Sequence, residues 1–169
     1  MTVKIRFAIP ADAETIMRFI RGLAAYERAE DAVRATASEL RAQMESAAPP
    51  FECLIAELGA TPVGFALFYR SYSTWLGQPL LFLEDLFVDE SYRGAGAGIA
   101  LIKRLAQVAA ARGYERIEWR VLDWNAPAQR FYHALGAAPL GDWTVWRLEG
   151  GALTALAATP RPASDAASA

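Results

Sequence analysis

Apolar positions change their spacing from one segment of the chain to the next, and each spacing predicts an element. After Pro10, apolar side chains recur at helical intervals and give a first helix one buried face. The side chains on that face are Ile16, Phe19, Ile20, Leu23 and Ala24. Short apolar runs rich in β-branched and aromatic residues predict strands over 3–8, 51–57, 62–70, 80–88 and 117–122.

Helix boundaries are indicated by capping residues. Thr36 and Glu39 have the spacing of a capping box, which begins a second helix. Residues 99–112 are apolar at helical spacing and end at Gly113, so they predict a longer third helix. Residues 71–79 have neither spacing and are predicted to be a loop.

The order of these elements predicts the fold class. Strands alternate first with turns and then with helices, and 144–149 and 150–158 add a last strand and a short helix. This order predicts an α/β fold with a mixed, mostly antiparallel twisted sheet and helices on both faces. We expect a single domain over 1–158. The small, polar and proline-bearing segment 159–169 is predicted to be a disordered tail.

The composition argues against several classes of protein. No apolar run approaches the roughly 20 residues of a membrane span, and the N-terminus lacks a signal pattern, so we expect a cytoplasmic protein with no membrane partner. A net charge of −2 argues against a nucleic-acid partner. One cysteine and one histidine leave no metal site, and Cys53 is predicted to be a buried small hydrophobe. Abundant arginine and alanine are typical of a GC-rich bacterial genome.

A glycine-rich turn lies between the apolar run 80–88 and the third helix. Its residues are Arg93, Gly94, Ala95, Gly96, Ala97 and Gly98. Glycine lets a backbone approach a ligand closely, and the first amides of a helix favour a phosphate. The turn lacks the Gly-Lys-Ser/Thr ending of a Walker loop and the glycine spacing of a dinucleotide fingerprint. A helix start that needs only small residues for packing remains the simpler alternative.

A second motif follows the strand predicted at 117–122. Asn125 is a good N-cap, Pro127 stands in the first helical turn, and Gly136 is a C-terminal stop. The helix between them contains the pair Phe131-Tyr132.

Together the two motifs resemble those of one superfamily. Arg93-x-x-Gly96-x-Gly98 resembles the acetyl-CoA signature of the GNAT superfamily of N-acetyltransferases, and the Asn125 helix is similar to the superfamily's last conserved helix. A narrower resemblance, to the diamine (spermidine/spermine) and thialysine acetyltransferase branch, runs from about residue 5 to 148. It is carried by 23–27, 51–57, 63–66, 74–77, 83–88 and 124–125. The alanine-rich C-terminus departs from that pattern.

The resemblance implies acetyl-CoA as cosubstrate, no metal, and a homodimer. It implies that the backbone of 93–98 holds the pyrophosphate, with Arg93 the side chain nearest to it. It also implies that pantetheine pairs like an extra strand with the backbone of Leu86, Phe87 and Val88. Asn125 either contacts the cofactor or only caps its helix.

Two residues are candidates for the chemistry. A lysine-like amine is protonated at neutral pH, so Glu84 is predicted to accept its proton directly or through water. A salt bridge to an arginine, or attraction of the ammonium without base catalysis, explains Glu84 equally well. Strand alternation predicts Glu84 and Asp85 on opposite faces. Tyr132 matches the family tyrosine that donates to the thiolate sulfur, so it is the predicted acid.

Recognition of the amine is predicted from carboxylates and aromatic faces. The candidate residues are Tyr26, Glu27, Trp75, Glu84, Asp85 and Trp124. His133 points away from its neighbour Tyr132 and is expected on the surface. The resemblance therefore predicts an acetyl-CoA-dependent N-acetyltransferase of a small primary amine (polyamine, diamine or thialysine-like). Protein lysine or N-terminal acetylation and a non-catalytic CoA-binding dimer are the alternatives.

Overall fold

Five strands and five α-helices lie within residues 2–159, the part of the chain that a computed structural model describes. The elements are β1 (Val3–Phe7), α1 (Ala13–Tyr26), α2 (Ala37–Met44), β2 (Glu52–Leu58), β3 (Thr61–Ser73), β4 (Gln78–Val88), α3 (Ala97–Ala111), β5 (Ile117–Trp119), α4 (Ala126–Ala134) and α5 (Gly150–Ala158). They form two compact units, Met1–Leu122 and Asp123–Ala169. The single domain expected over 1–158 stays a prediction, and the predicted tail lies, after residue 159, outside the described residues.

The sheet of the first unit has the strand order β1-β2-β3-β4-β5. Neighbouring strands from β1 to β4 are antiparallel, and β5 runs parallel to β4. The predicted α/β class with a mixed, mostly antiparallel sheet is therefore confirmed. A parallel neighbour requires a crossover connection, which α3 supplies between β4 and β5.

Each face of the sheet is covered by its own apolar cluster. On one face, α3 packs Leu101 and Leu105 against β2, β3 and β4. On the other face, α1 packs Ile16 and Phe19 on the sheet, and the Phe19 and Phe65 rings stack with centroids 5.6 Å apart. The helical spacing of these side chains predicted the buried face of α1 correctly.

Local signals fixed the helix boundaries well. The Thr36 hydroxyl accepts a hydrogen bond from the Glu39 amide, and the Glu39 carboxylate accepts one from the Thr36 amide, which is the predicted capping box. The predicted loop at 71–79 is wrong, because β3 and β4 continue as a paired hairpin up to Ser73 and Gln78. Only the turn between these two residues remains outside the ladder.

The predicted last strand at 144–149 is also wrong. These residues form no strand in the described part of the chain, although the short helix predicted after them is observed as α5. A strand needs a neighbour to satisfy its backbone groups, and apolar spacing alone does not supply that neighbour. Trp143, Val145 and Trp146 are all exposed. Likewise, β5 ends at Trp119, where its pairing with β4 ends, three residues before its predicted end.

Gly64 of β3 pairs with Val88 at the end of β4, where the two backbones approach closely. A Cβ built at Gly64 would lie 2.6 Å from the carbonyl oxygen of Phe87 and 3.2 Å from the Cα of Val88. Because both contacts are with backbone, a side chain at this position must displace β4 itself.

We expect Gly64→Ala to lower the free energy of unfolding by about 1–3 kcal/mol, the usual cost of overpacking. Urea unfolding followed by circular dichroism measures the loss. Gly141→Ala is the matched control, because a Cβ at Gly141 has no heavy atom within 4 Å. Equal stability of the two variants would show that β4 yields without cost.

Candidate active site

A β-bulge in β4 places two carboxylates side by side. Phe68 of β3 pairs with Leu83, and the preceding residue Leu67 pairs with Asp85, so Glu84 is an extra residue without a cross-strand partner. The strict alternation expected for Glu84 and Asp85 is wrong, because this insertion shifts the faces of all later residues. We call Glu84 and Asp85 the acidic bulge.

Asp85 lies on the α1 side of the sheet together with Glu27. It pairs with Leu67, whose side chain belongs to the apolar cluster under α1. Burial, reinforced by the negative charges of Glu84 and Glu27, raises the pKa of Asp85 from 3.8 to about 6. Burial also raises the pKa of Glu27. These two carboxylates therefore hold protons more tightly than exposed acids do, and both favour a nearby cation.

Glu84 takes a different environment from Asp85. Its carboxylate accepts a hydrogen bond from Nη2 of Arg120 at 3.4 Å, and both side chains are about half exposed, at 43% and 52%. The salt-bridge alternative for Glu84 is therefore observed. Tyr69 completes this group, since burial and the charge of Glu84 raise the pKa of its hydroxyl while Arg120 opposes the shift.

The strands β4 and β5 separate beside the acidic bulge. Their ladder joins Leu81, Phe82 and Leu83 to β5 and ends at Trp119, whereas β4 continues to Val88. Beyond Leu83, the β5 side of β4 has no strand partner in the described part of the chain. The backbone at Leu86, Phe87 and Val88 therefore has no neighbouring strand on this side among the described residues, although the Val88 carbonyl oxygen accepts a hydrogen bond from Nε of Arg93. Its pairing with an extended pantetheine stays a prediction.

The glycine-rich turn has the geometry of an anion cradle. Gly94 and Gly96 have positive φ angles of 80° and 86°, and a Cβ at Gly96 would meet only Ile99, at 4.0 Å. Space above the turn is thus open. Gly96 is the N-cap of α3, so the amides that open this helix, including Ala97 and Gly98, have no acceptor within it. These residues fit the pyrophosphate of acetyl-CoA.

The Arg93 side chain packs on two aromatic rings and bonds to the backbone of β4. Its guanidinium carbon lies 4.8 Å from the centroid of the Tyr26 ring and 5.9 Å from that of Phe87. Its Nε donates to the carbonyl oxygen of Val88 at 3.2 Å. Arg93 therefore connects the glycine-rich turn to Tyr26, a predicted amine-binding residue; its contact with phosphate stays a prediction.

The remaining predicted residues fall into buried and exposed groups. In the second unit, Asn125 is buried and its side chain accepts a hydrogen bond from the Ala128 amide, so it caps α4. Burial raises the pKa of Tyr132 to about 12. Trp124 and Trp75 are 54% and 84% exposed. His133 is exposed and Cys53 is buried, as expected.

Sequence reasoning missed Tyr69 and Arg120. Both stand inside the strands predicted over 62–70 and 117–122, and their signal was a polar group on a largely apolar element. Across residues 2–159, no cluster of three or more His, Cys, Asp and Glu side chains is arranged for a metal ion. No helix in the same part of the chain is long and apolar enough to cross a membrane.

The geometry agrees with a comparison against protein families. Residues 18–137, which include the acidic bulge and the glycine-rich turn, match the acetyltransferase (GNAT) family. The chain belongs to the GNAT family. The superfamily predicted from two short motifs is thus confirmed, and with it an N-acetyltransferase from a family that uses acetyl-CoA.

Individual GNAT relatives are similar over most of the chain. The thialysine N-epsilon-acetyltransferase of Bos taurus is 41% identical over 166 residues, covering 92% of this chain and 97% of the relative. The human spermidine/spermine N(1)-acetyltransferase-like protein 1 is 36% identical over 152 residues, 86% of this chain but 22% of that protein. Among solved structures, an integron cassette protein from the mobile metagenome of V. cholerae matches with a TM-score of 0.77 and 26% identity, covering 94% and 99% of the two chains.

The raised pKa of Asp85 makes the stability of this GNAT protein depend on pH. The native state holds the Asp85 proton more tightly than the unfolded chain does, so this stabilisation is complete below about pH 4 and is lost as pH rises through about 6. We therefore expect Asp85→Asn to be more stable than the wild type at pH 8, by about 1–3 kcal/mol, and to lose this advantage at pH 4.

Urea unfolding between pH 4 and pH 8 measures the difference. Asp142→Asn is the control, because Asp142 is exposed and its replacement should leave the pH profile unchanged. Parallel pH profiles for the wild type and Asp85→Asn would contradict the assignment.

Proposed function

We propose that this chain transfers the acetyl group of acetyl-CoA directly to a small primary amine. The observation that carries the proposal is the acidic bulge, which lies where β4 and β5 separate. A free strand edge for the extended cosubstrate and carboxylates for a cation meet at this position. The names of the relatives, thialysine and spermidine/spermine acetyltransferases, support an amine of this class.

The acidic residues have two tasks in the proposed reaction. An amine resembling lysine has a pKa near 10.4, so its neutral form is disfavoured at pH 7 by about 4.6 kcal/mol. Glu27 and Asp85 attract the ammonium, and Tyr26 offers an aromatic face beside them. Glu84 remains the proposed base, directly or through water. Asp85 is a second acceptor, because burial brings its pKa to about 6, close to neutral pH.

Tyr132 is the proposed acid for the departing thiolate, on the basis of its match to the family tyrosine. A thiol has a pKa of about 8.5, whereas burial raises the pKa of Tyr132 to about 12. Complete proton transfer from Tyr132 is therefore unfavourable. A hydrogen bond that strengthens as the sulfur gains charge requires no such transfer, and this is the contribution that we assign to its hydroxyl.

The high exposure of Trp75 keeps protein substrates in consideration. A closed aromatic pocket around Trp75 and Tyr26 would exclude peptides, but Trp75 is 84% exposed. Acetylation of a protein lysine or an N-terminus is therefore the second candidate. The homodimer is proposed on the resemblance alone, and the cytoplasmic location on the composition of the chain.

The proposal is tested by thiol release from acetyl-CoA with a panel of diamines, amino acids and lysine peptides. We expect turnover with small primary amines and little with peptides. Gly96→Val should raise the KM for acetyl-CoA about tenfold or more, because its side chain occupies the cradle. Gly113→Val is the matched control: Gly113 also has a positive φ, of 69°, but follows the far end of α3.

Release with peptides alone would favour the second candidate. No release with any acceptor would overturn the proposed transfer. Equal KM values for the two glycine variants would place the pyrophosphate elsewhere.

We expect Tyr132→Phe to lower kcat by roughly 10²-fold while leaving the KM for acetyl-CoA nearly unchanged. The substitution keeps the ring and removes the hydroxyl, whose bond strengthens only as the thiolate forms. Steady-state thiol release separates the two constants, and Tyr114→Phe controls for the loss of a hydroxyl elsewhere. Near-normal kcat in Tyr132→Phe would remove Tyr132 from the reaction.

A further inference from the structure

Opposite charges flank the point where β4 and β5 separate. Glu84 is the first residue of β4 after its last pair with β5, and Arg120 is the first residue after β5 ends. Their side chains meet through one hydrogen bond of 3.4 Å, from Nη2 of Arg120 to Oε2 of Glu84. The cation thus lies at the edge of the proposed amine site.

The guanidinium of Arg120 stacks on an aromatic ring, which in turn packs against a second ring. Its central carbon lies 5.1 Å from the centroid of the Phe82 ring, which packs against the Tyr69 ring with centroids 5.3 Å apart. A guanidinium on an aromatic face keeps its N–H groups directed outward, in the plane that binds a carboxylate with two hydrogen bonds. Arg120 is therefore positioned by packing rather than by Glu84 alone.

The ion pair between Arg120 and Glu84 is of the kind that a ligand replaces readily. Both side chains are about half exposed and share one long hydrogen bond, and such exposed pairs add little to stability. By contrast, Arg112 and Glu52 form two bonds of 2.6 and 2.7 Å. A bidentate carboxylate from a ligand would bind Arg120 more strongly than Glu84 does.

We propose that Arg120 binds the carboxylate of an amino-acid substrate and so selects amino acids over polyamines. The substrate carboxylate replaces Glu84 on Arg120 and frees Glu84 to face the amine. From Phe82 to Leu86, β4 rises about 13 Å, and from Glu84 to Leu86 about 7 Å. An extended lysine spans the shorter of these distances, about 7 Å, between its carboxylate and its amine. The inference rests on the proposed function, whose acetyl group is delivered at the Leu86 edge.

Matched substrates test this selection. Lysine, lysinamide and cadaverine share the primary amine, but only lysine carries the carboxylate; ornithine and putrescine form a shorter pair. We expect the wild type to show a higher kcat/KM for the amino acid than for its amide or its decarboxylated counterpart, by about tenfold or more. Thiol release from acetyl-CoA measures each value.

Arg120→Gln should remove that preference. We expect kcat/KM for the amino acid to fall by about tenfold or more, mainly through KM, and kcat/KM for the diamine to stay level or rise because Glu84 is free. Arg120→Lys, which keeps the charge but not the fork, should retain part of the preference. Arg116→Gln is the control, since Arg116 pairs with Glu118 on β5.

The possible failures are distinct. If Arg120→Gln changes the amino acid and the diamine equally, or the wild type prefers the diamine, the carboxylate site is overturned and the proposed amine acetylation stands. If the wild type acetylates none of these amines, the proposed function falls and this inference falls with it. Melting temperatures of all variants confirm that each comparison is made between folded chains.

Discussion

The extra residue in β4 is the constraint on which the rest of the site depends. In a strand with regular alternation, every second side chain lies on the same face of the sheet along the whole strand. Inserting Glu84 opposite the Leu67–Phe68 step reverses the faces from Asp85 onward. Leu83 thereby packs under α3, whereas Phe87 packs under α1. The same insertion coincides with the end of the β4–β5 ladder, so acidity and an open backbone edge arise at one place.

Charge around the bulge is divided between two environments. Asp85 and Glu27 are partly buried, so desolvation raises the pKa of both. Glu84 is more exposed and paired with Arg120. Two adjacent carboxylates thus lie in different surroundings, one partly buried and the other exposed and paired with an arginine. This division suits an amine substrate, which brings a positive charge and must then lose a proton.

The sequence predicted what depends on neighbours along the chain. The capping box at Thr36, the start of α3 at the glycine-rich turn and the Asn125 cap each need only a few consecutive residues. Features that depend on pairing were missed: the extended hairpin through 71–79, the bulge, and the failure of 144–149 to form a strand. In the candidate site, Glu84, Asp85 and Glu27 were predicted, but the partner Arg120 was not. The register between β4 and β5 places Arg120 beside Glu84, and the spacing of residues along one strand does not determine that register.

Arg93 links the glycine-rich turn to Tyr26, so one residue belongs to both the proposed cosubstrate site and the proposed amine site. Its guanidinium covers the ring of Tyr26 and bonds to the end of β4, while its backbone opens the glycine-rich turn. A guanidinium stacked on an aromatic ring occupies that face and excludes a second cation from it. A cosubstrate that drew Arg93 toward its phosphates would uncover the face of Tyr26 that we propose for the substrate cation. Such an exchange would make the amine bind more tightly once the cosubstrate is present. Because coupling between two sites is reciprocal, the amine would raise the affinity for the cosubstrate by the same factor.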